Sequence, residues 1–316
     1  MAVYTEVPIS ALKQFVREYD IGKIVYLKGI EEGVENSNFL LKTNRDTYIL
    51  TIYEKRVDSV DLPFFLGLMD HLANKAFPCP TPLHGFDGKA LRTLCNKPAA
   101  LVTFVTGSGP KIITHDHCYS VGKIAGEMHL ATKDFQMSRI NTLDRQGWRK
   151  LFELTKARAN DFYEGIVEEI EIELNFLDQN WPKRLPVGII HADLFPDNVF
   201  FENKTLSGVI DFYFACNGFM AYEIATCINA WCFENDGGLN SEKVSSLLEG
   251  YKSIRTLEEA ELRSLLLLSR GSALRFLLTR LYDFLNHPKG ALVKPKDPLE
   301  YLKRLRYHKE SDQNLC

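Results

Sequence analysis

The sequence predicts an α+β protein of two lobes, a small N-terminal lobe built on an antiparallel sheet and a larger, mainly helical C-terminal lobe. The chain has 316 residues, which exceeds the size at which a single hydrophobic core usually stops growing. Strand-type runs dominate its first third, whereas helical periodicity dominates the remainder. A Gly/Pro-rich stretch, TGSGP at 106–110, separates the two patterns. We therefore place the N-terminal lobe at 1–105 and the C-terminal lobe at 106–316.

Two helices and five strand-type runs make up the predicted N-terminal lobe. Apolar positions recur at helical spacing over 9–19, and a second helical pattern covers 59–76, where Pro63 is tolerated because it falls in the first turn. The strand-type runs, each bounded by turn residues, are 23–28, 38–43, 47–54, 89–94 and 99–105. Because short turn-rich segments join the first three runs, we expect them to pair as antiparallel neighbours.

Helical periodicity dominates beyond the Gly/Pro-rich stretch. The helical segments extend from 115 to about 181 with breaks, and then cover 219–233, 241–253, 258–285 and 298–307. Three short apolar segments interrupt the helices, at 187–191, 198–201 and 206–212. We therefore expect a helical lobe that carries a few short strands around one loop.

Composition excludes several classes of protein. A formal net charge of −3 and a pI near 6.3 argue against a nucleic-acid partner or an anionic membrane surface. The seven cysteines include no C-x-x-C pair, so we expect free thiols in a reducing compartment and no zinc site. The N-terminal residues lack the apolar core of a secretory signal, and no apolar run approaches the roughly 18 residues of a membrane span. We therefore expect a cytoplasmic protein.

The stretch HADLFPDNVFF at 191–201 places polar side chains in a loop between two apolar segments. His191, Asp193 and Asn198 lie in this loop, and Asp211 ends a third apolar segment eighteen residues after Asp193. Phosphoryl transfer from a nucleotide needs a carboxylate that accepts the proton of the acceptor hydroxyl, and oxygen ligands that hold Mg²⁺ on the phosphates. Protein kinases space the catalytic Asp and a metal-binding Asn five residues apart, as Asp193 and Asn198 are. The pattern favours a phosphotransferase site over an ordinary polar turn.

The pairing of H-x-D-x-x-x-x-N in HADLFPDN with I-D-F in VIDFYFAC is similar to the aminoglycoside phosphotransferase and choline kinase superfamily. That resemblance implies a bilobal, protein-kinase-like fold and an enzyme that uses ATP and Mg²⁺. It implies Asp193 as the catalytic base, and Asn198 and Asp211 as Mg²⁺ ligands. His191 would position the loop. Glu223 stands where the superfamily tends to have Asp at the start of the next helix, which implies a brace for the catalytic loop; the alternative is a surface acid stabilised by the helix dipole.

The resemblance assigns the nucleotide to the N-terminal lobe. KGIEEGVENSNFLL at 28–41 lies between the first two strands, as a loop that covers a nucleotide does, with an ordinary hairpin turn as the alternative. The candidate contacts to the phosphates are Gly29, Gly33, Asn36, Ser37 and Asn38. The strand end LVTFV would meet the adenine edge through backbone groups, and could equally be a plain core strand. The residues concerned are Thr103, Phe104 and Val105.

One position departs from the superfamily. Thr51 stands where a phosphate-binding Lys is usual, and a threonine cannot supply that charge. Lys42, Lys55 or Arg56 could replace it from neighbouring positions, and the sequence leaves this choice open. The departure also keeps open a second class of function, a degenerate kinase fold that binds ligands without turnover.

Over most of its length the chain is similar to one branch of the superfamily, the kinase-like homoserine kinases of bacterial threonine biosynthesis. The stretches that carry this similarity include GIEEGVENSNF, YILTIYEKRV, DLPFFLGLM, NAWCFE and ALRFLLTRLYDFL. The similarity implies L-homoserine as the small-molecule substrate, with choline, ethanolamine or another small alcohol as the alternative. It predicts neither the oligomeric state nor feedback regulation nor a preference between ATP and GTP.

A zwitterionic acceptor needs a cation for its carboxylate and an acidic group for its ammonium. Arg275 and Arg280 are the candidate cations, although each could instead form a salt bridge to a neighbouring helix. Glu234 or Asp236 could take the ammonium, with a solvated helix end as the alternative. The aromatic residues that could surround a substrate, or form a cage for choline, are Tyr213, Trp231 and Phe233.

Overall fold

The computed structural model describes residues 5–30, 36–54, 58–287 and 295–311. Its N-terminal part is a five-stranded antiparallel sheet in the order β1-β2-β3-β5-β4. The strands are β1 Ile24–Gly29, β2 Ser37–Thr43, β3 Thr47–Ile52, β4 Arg92–Leu94 and β5 Lys97–Thr103. Helix α1, Ile9–Val16, precedes the sheet, and helix α2, Leu62–Asn74, follows its third strand. The antiparallel pairing predicted for the first three strand-type runs is confirmed.

The sheet has two different faces because successive side chains of a strand point to opposite sides. Leu50 of β3 and Leu101 of β5 are fully buried in a small core together with α1. Their neighbours Ile49 and Val102 belong instead to a larger core that α2 shares with the helical lobe. By the same alternation Thr51 lies on this second face, which borders the cleft between the lobes.

The rest of the chain is mainly helical. The helices are α3 His115–Ala131, α4 Arg145–Phe162, α5 Ile166–Asn180, α6 Met220–Trp231, α7 Ser241–Lys252, α8 Glu259–Leu285 and α9 Pro298–Glu310. Two short antiparallel ribbons lie among them, β6 Val187–Ile190 with β9 Cys216–Phe219, and β7 Val199–Glu202 with β8 Thr205–Val209. The predicted α+β class, with an antiparallel sheet first and a helical lobe after it, is confirmed.

Two details differ from the predicted elements. The helix expected over 59–76 begins as a 3-10 turn at Ser59–Asp61, and α2 itself starts only at Leu62. The side chain of Asp58 caps this turn by accepting the Val60 N–H at 3.1 Å. Strand β9 was not predicted, because the sequence CNGF is typical of a turn; it exists because it pairs with β6 from Ile190 to Val187.

The linker between the lobes lies directly on the polypeptide of the candidate site. Ser108 exchanges two backbone hydrogen bonds with Phe201 of β7, at 3.2 and 3.0 Å. A side chain on Gly109 would collide with the carbonyl oxygen of Pro196, so only glycine fits at this point without a shift of the backbone. The linker therefore has a fixed position against the 191–201 stretch.

Arg139, in the loop between α3 and α4, ties α2 to the segment that follows Asp211. Its Nε donates to the Asp61 carboxylate at 2.5 Å, and its Nη1 donates to the Ala215 carbonyl at 3.2 Å. The guanidinium also lies 4.9 Å from the centre of the Phe65 ring. The Arg139 side chain thus connects the start of α2 with the segment that follows Asp211.

Some features of the described residues bear on the kinds of site the protein can have. The six cysteines found among them are free thiols. No helix within the described ranges is both long and apolar enough to cross a membrane. Across the same ranges, no three His, Cys, Asp or Glu side chains are grouped so that they alone could hold a metal ion.

Candidate active site

The loop from residue 191 to 198 joins β6 to β7 through a tight, hydrogen-bonded turn. The Phe195 N–H donates to the Asp193 carbonyl at 2.8 Å, and the Asn198 N–H donates to the Phe195 carbonyl at 2.9 Å. Ala192 has a φ of +63°, a conformation that L-residues adopt only where the surroundings enforce it. Because buried strands anchor both ends, the side chains of the loop extend from a rigid support.

Asp193 and Asn198, the predicted base and metal ligand, are in direct contact. The Asn198 amide nitrogen donates to the Asp193 carbonyl oxygen and to its carboxylate Oδ2, each at 2.9 Å. Only 8% of the Asn198 surface is exposed, so the amide is held in this orientation. With its nitrogen used in this way, the side-chain oxygen of Asn198 is the atom that remains for a cation.

Burial raises the pKa of the Asp193 carboxyl above its ordinary value, because removal from water penalises the ionised form. The positive charge of Arg275 and the hydrogen bond from Asn198 lower the same pKa. General-base catalysis is most effective when the pKa of the base approaches the working pH. The surroundings of Asp193 therefore favour a carboxylate that accepts a proton.

Asp211 lies next to this pair in space. The Ile210 N–H donates to the Asn198 carbonyl at 2.9 Å, which places Asp211 one residue beyond a direct link to the catalytic loop. Asp211 has a left-handed φ of +64° and is exposed. The fold therefore holds the segment that carries Asp211 against the turn of Asp193 and Asn198, and the roles assigned to the three residues remain predictions.

His191 and Glu223 lie fully buried beneath the loop. Glu223 Oε2 accepts the backbone N–H of His191 and, at 3.0 Å, that of Ala192. The His191 Nε2–H donates to the carbonyl of Ile210 at 2.9 Å, which links the loop to the end of β8. Burial lowers the pKa of His191 to about 4 and raises the pKa of Glu223 to about 7. These are the contacts of groups that position a loop.

On the N-terminal side of the cleft, Thr51 forms part of a neutral hydrogen-bonded network. Its hydroxyl donates to the Asn38 side-chain oxygen at 2.8 Å, because Asn38 of β2 lies directly opposite Thr51 in the sheet. Further along the chain the Tyr53 hydroxyl lies 3.3 Å from the Tyr213 hydroxyl. The Asp211 carboxylate acts electrostatically on both phenols, raising their pKa values together with burial. The network therefore reaches from the sheet to the candidate metal ligand.

Comparison with known proteins places this site in a family. A model described as "Phosphotransferase enzyme family" matches residues 27–257. The chain belongs to this family. Homoserine kinases from Paramagnetospirillum magneticum (strain ATCC 700264 / AMB-1) and Agrobacterium fabrum (strain C58 / ATCC 33970) are each 55% identical to it, over 98% of this chain and 96% of their own. The resemblance predicted from the sequence motifs is confirmed, and the chain is an ATP-dependent kinase.

Solved structures of the phosphotransferase family share the fold at low sequence identity. An amicoumacin kinase in complex with AMP-PNP and Ca²⁺ has a TM-score of 0.74 at 16% identity and covers 96% of this chain and 92% of its own. Choline kinase from Cryptosporidium parvum Iowa II has a TM-score of 0.66 at 15% identity, with 96% and 95% covered. The predicted protein-kinase-like bilobal fold is confirmed.

Arg275 does not lie in a substrate pocket of this phosphotransferase. Its Nη1 donates to the carbonyl of Ala192, and its guanidinium lies 4.2 Å from the centre of the Phe276 ring. Only 2% of the residue is exposed. The arginine therefore holds the catalytic loop through the Ala192 carbonyl, and its burial does not fit the predicted contact with the substrate.

Two other residues predicted to contact the substrate, Trp231 and Arg280, make different contacts in the structure. Trp231 is fully buried, and its indole N–H donates to the carbonyl of Leu194 at 2.7 Å, so it presents no surface to a ligand. Arg280 pairs with Glu300 of α9 and stacks 4.4 Å from the centre of the Tyr301 ring. The salt-bridge alternative is the correct one for Arg280.

Glu234, the acid predicted to contact the substrate ammonium, is paired with a lysine. Glu234 forms an ion pair with Lys243 at 2.7 Å and accepts a hydrogen bond from Asn240 at 2.8 Å. These residues line an open depression of about 550 Å³ beside the start of α3. Lys243 is only 8% exposed, so Glu234 could not turn to a substrate ammonium without leaving a nearly buried charge unpaired. Tyr213 does border the cleft, and its role remains a prediction.

The candidate nucleotide contacts fall into two groups. Gly29 ends β1 and Asn38 faces the cleft, whereas Ser37 is fully buried and donates to the Glu54 carboxylate at 2.7 Å. Asn36 is buried and accepts the Glu54 N–H at 3.3 Å. The side chains of Ser37 and Asn36 therefore help to shape the strand, and contacts of this segment with a phosphate remain a prediction. Gly33 lies outside the described residues.

The missing lysine has no replacement at Lys42. This side chain donates to the Thr47 hydroxyl at 2.9 Å, at the end of the β2–β3 ribbon that is farther from Thr51. Lys55 and Arg56, the other two candidates, lie outside the described residues. At the position itself the described side chains are the neutral Thr51 and Asn38.

The end of β5 is held against neighbouring segments. The Thr103 N–H donates to the Thr81 carbonyl, and its hydroxyl accepts the Thr81 N–H, each at 2.9 Å. Phe104 is exposed, and Val105 packs closely on Gly208 of β8. Contacts of these backbone groups with adenine remain a prediction.

Three residues of the site were missed by sequence reasoning, namely Tyr53, Arg139 and Arg275 in its loop-holding role. Tyr53 carried a weak signal, since it lies two positions after Thr51 and so on the same face of the strand. Arg139 and Arg275 carried none, because the groups that they contact are distant in the sequence.

Proposed function

We propose that this kinase transfers the γ-phosphoryl group of ATP to the side-chain hydroxyl of L-homoserine, forming O-phospho-L-homoserine and ADP. The observation that carries the choice of acceptor is the 55% identity to homoserine kinases over 98% of the chain. The site supports the same chemistry, because the half-buried Asp193 carboxylate contacts the Asn198 amide, and the residue before Asp211 is hydrogen-bonded to the Asn198 backbone.

Asp193 is proposed to act as the general base. The homoserine hydroxyl oxygen forms a bond to the γ-phosphorus, and its proton passes to the Asp193 carboxylate. The bond between the γ-phosphorus and the bridging oxygen breaks, and ADP leaves with the electron pair. The Asn198 amide, which donates to Asp193 Oδ2 at 2.9 Å, orients the carboxylate for this transfer.

Mg²⁺ is the proposed metal ion, and the residues fit it. Asn198 and Asp211 would hold it, since one retains an amide oxygen and the other presents an exposed carboxylate, and oxygen ligands are those that Mg²⁺ prefers. When bound, the ion neutralises charge on the phosphates. Since two protein ligands are few, phosphate oxygens and water would complete its shell.

A coupled assay of ADP release tests the proposal. The protein receives ATP and Mg²⁺ with L-homoserine, choline, ethanolamine, methylthioribose or kanamycin in parallel reactions, and Asp193→Asn serves as the control. We expect release that depends on both homoserine and Asp193. Preferential turnover of another alcohol would overturn the acceptor while leaving the base in place. ATP binding without turnover of any acceptor would support the non-catalytic alternative.

A further inference from the structure

A receptor for the charges of an amino acid must lie close to Asp193. Only two methylene groups separate the hydroxyl of homoserine from the carbon that carries both charges. When the hydroxyl contacts Asp193, the ammonium and the carboxylate are therefore within a few ångströms of the catalytic loop. The charged residues predicted for this task are held in buried contacts: Arg275 and Arg280 are 2% and 8% exposed, and Glu234 neutralises Lys243, whose side chain is 8% exposed.

Asp197 and Lys296 form an ion pair at the edge of the catalytic loop. Lys296 Nζ lies 2.6 Å from Asp197 Oδ2. Asp197 belongs to the same turn as Asp193, whereas Lys296 stands just before α9, and its ammonium lies 5.3 Å from the centre of the Phe195 ring. The two side chains are 58% and 56% exposed, so solvent reaches both charges.

Both charges act on the catalytic carboxyl. The negative charge of Asp197 raises the pKa of Asp193, and the positive charge of Lys296 lowers it. The geometry places the pair close to the proposed base, since Asp197 follows Asp193 by four residues within one hydrogen-bonded turn and Lys296 lies over Phe195 of that turn. The loop is held at this point, because Gly109 of the linker packs against the backbone of Pro196 and Asp197.

We propose that Asp197 and Lys296 recognise the zwitterionic end of the acceptor, with Asp197 taking the α-ammonium and Lys296 the α-carboxylate. This inference rests on the proposed function, since it concerns how the same site selects its substrate. Without substrate the two side chains neutralise each other. When the amino acid binds, its ammonium contacts Asp197 and its carboxylate contacts Lys296. Each protein charge therefore keeps a partner of opposite charge.

Exposure is what makes such an exchange feasible. An ion pair between solvent-exposed side chains contributes little to stability, so separating it costs little. The pair Arg255–Glu261, in contrast, is bidentate, at 3.0 and 2.9 Å, and its glutamate is fully buried. Opening such a pair would leave a buried charge without a partner. Asp197 and Lys296 therefore combine proximity to the base with freedom to change partners.

Paired substitutions and paired acceptors test the assignment. The acceptors are L-homoserine, 3-aminopropan-1-ol, which lacks the carboxylate, and 4-hydroxybutyrate, which lacks the ammonium. The variants are Asp197→Asn and Lys296→Gln. We expect the unmodified enzyme to prefer homoserine over either analogue by about 10- to 100-fold in kcat/KM, the range for hydrogen bonds to charged groups.

Each variant should lose the preference for homoserine over one of the two analogues. Lys296→Gln should use homoserine and 3-aminopropan-1-ol nearly equally while still rejecting 4-hydroxybutyrate. Asp197→Asn should show the opposite pattern. The KM for ATP and the melting temperature should stay close to those of the unmodified enzyme, because neither side chain is assigned to the nucleotide or the core.

A matched control uses an ion pair of similar exposure outside the cleft. Lys156 and Glu171 are 40% and 49% exposed at 3.3 Å, and Lys156→Gln and Glu171→Gln should leave acceptor preference unchanged. Unaltered discrimination in Asp197→Asn and Lys296→Gln would overturn the inference. So would an equal loss towards all acceptors with a raised KM for ATP, because that would mean a general role in loop position. Absence of homoserine-dependent release in the unmodified enzyme would instead defeat the proposed function, and this inference with it.

Discussion

The catalytic loop and the β2–β3 ribbon face the same cleft but are built in different ways. The loop is fixed by buried polar contacts, with Glu223 on its backbone N–H groups and Arg275 on the Ala192 carbonyl. The ribbon presents the neutral pair Asn38 and Thr51 where a lysine is usual in the superfamily. Removing one partner from a buried charged contact leaves a buried charged or strongly polar group unsatisfied, whereas removing the Thr51 hydroxyl leaves only the neutral, half-buried amide oxygen of Asn38 without its donor.

This difference indicates which half of the site tolerates substitution. The groups proposed to accept the proton and to bind the metal ion must be placed accurately, and buried charged side chains support them. The phosphates carry several charges, which the proposed Mg²⁺ would partly neutralise, so neutral protein contacts can take the place of a charged one. Three substitutions test this contrast, beginning with the largest expected effect.

Asp193→Asn removes the proposed base while keeping the shape of the side chain. We expect kcat to fall by about 10²- to 10⁴-fold, the usual contribution of a positioned base. Steady-state kinetics with homoserine measure the loss, and circular dichroism with thermal melting should show an intact fold. Turnover close to that of the unmodified enzyme would contradict the assignment.

Glu223→Ala tests the support of the loop. It leaves the buried N–H groups of His191 and Ala192 without an acceptor, at about 1–3 kcal/mol each, and we expect the free energy of unfolding to fall by roughly 2–5 kcal/mol. Urea denaturation measures this change. Loss of loop position should also reduce kcat, by less than Asp193→Asn does.

The matched control is Glu223→Gln, which keeps an acceptor oxygen. Burial raises the pKa of Glu223 in the folded protein to about 7, from an ordinary value of 4.5. A folded-state pKa above the unfolded value means that its stabilisation is complete below pH 4.5 and is lost as the pH rises towards about 7. The stability of the unmodified protein relative to Glu223→Gln should therefore decrease over this interval. A constant difference would contradict a carboxyl buried in this way.

Thr51→Val should have the smallest effect. It deletes the hydroxyl that donates to Asn38 without changing the shape of the residue, and we expect the KM for ATP to rise about 2- to 10-fold with kcat nearly constant. Thr47→Val, at the other end of the same strand, is the control and should leave the KM for ATP unchanged. A fall in kcat as large as that of Asp193→Asn would erase the contrast between loop and ribbon.

The part of the site that could be predicted from the sequence is the part whose partners are close along the chain. Asp193 and Asn198 contact each other across five residues, and one short motif contains both. Arg280 pairs with Glu300 on another helix, and Ser37 donates to Glu54 just beyond the end of β3, so tertiary packing determined what each does. Trp231 could not be separated from a ligand-binding tryptophan before its buried indole was seen to bond Leu194.

The same limit applies to the fold. Strands β1 to β3 follow from alternating apolar runs, which predict both their existence and their neighbours. Strand β9 has no such pattern, since CNGF is extended only because β6 lies beside it. Where a distant segment determines a conformation, the local sequence carries little information about it.

Gly109 has a consequence for how the mutational tolerance of this enzyme is interpreted. The residue has no side chain to take part in the reaction, yet the carbonyl of Pro196 occupies the space of any β-carbon. A survey of all substitutions would therefore place Gly109 among the most sensitive positions, beside Asp193. At Asp193 the sensitivity would reflect the chemistry of the reaction. At Gly109 it would reflect only the close approach of two backbone segments, and only the structure separates the two causes.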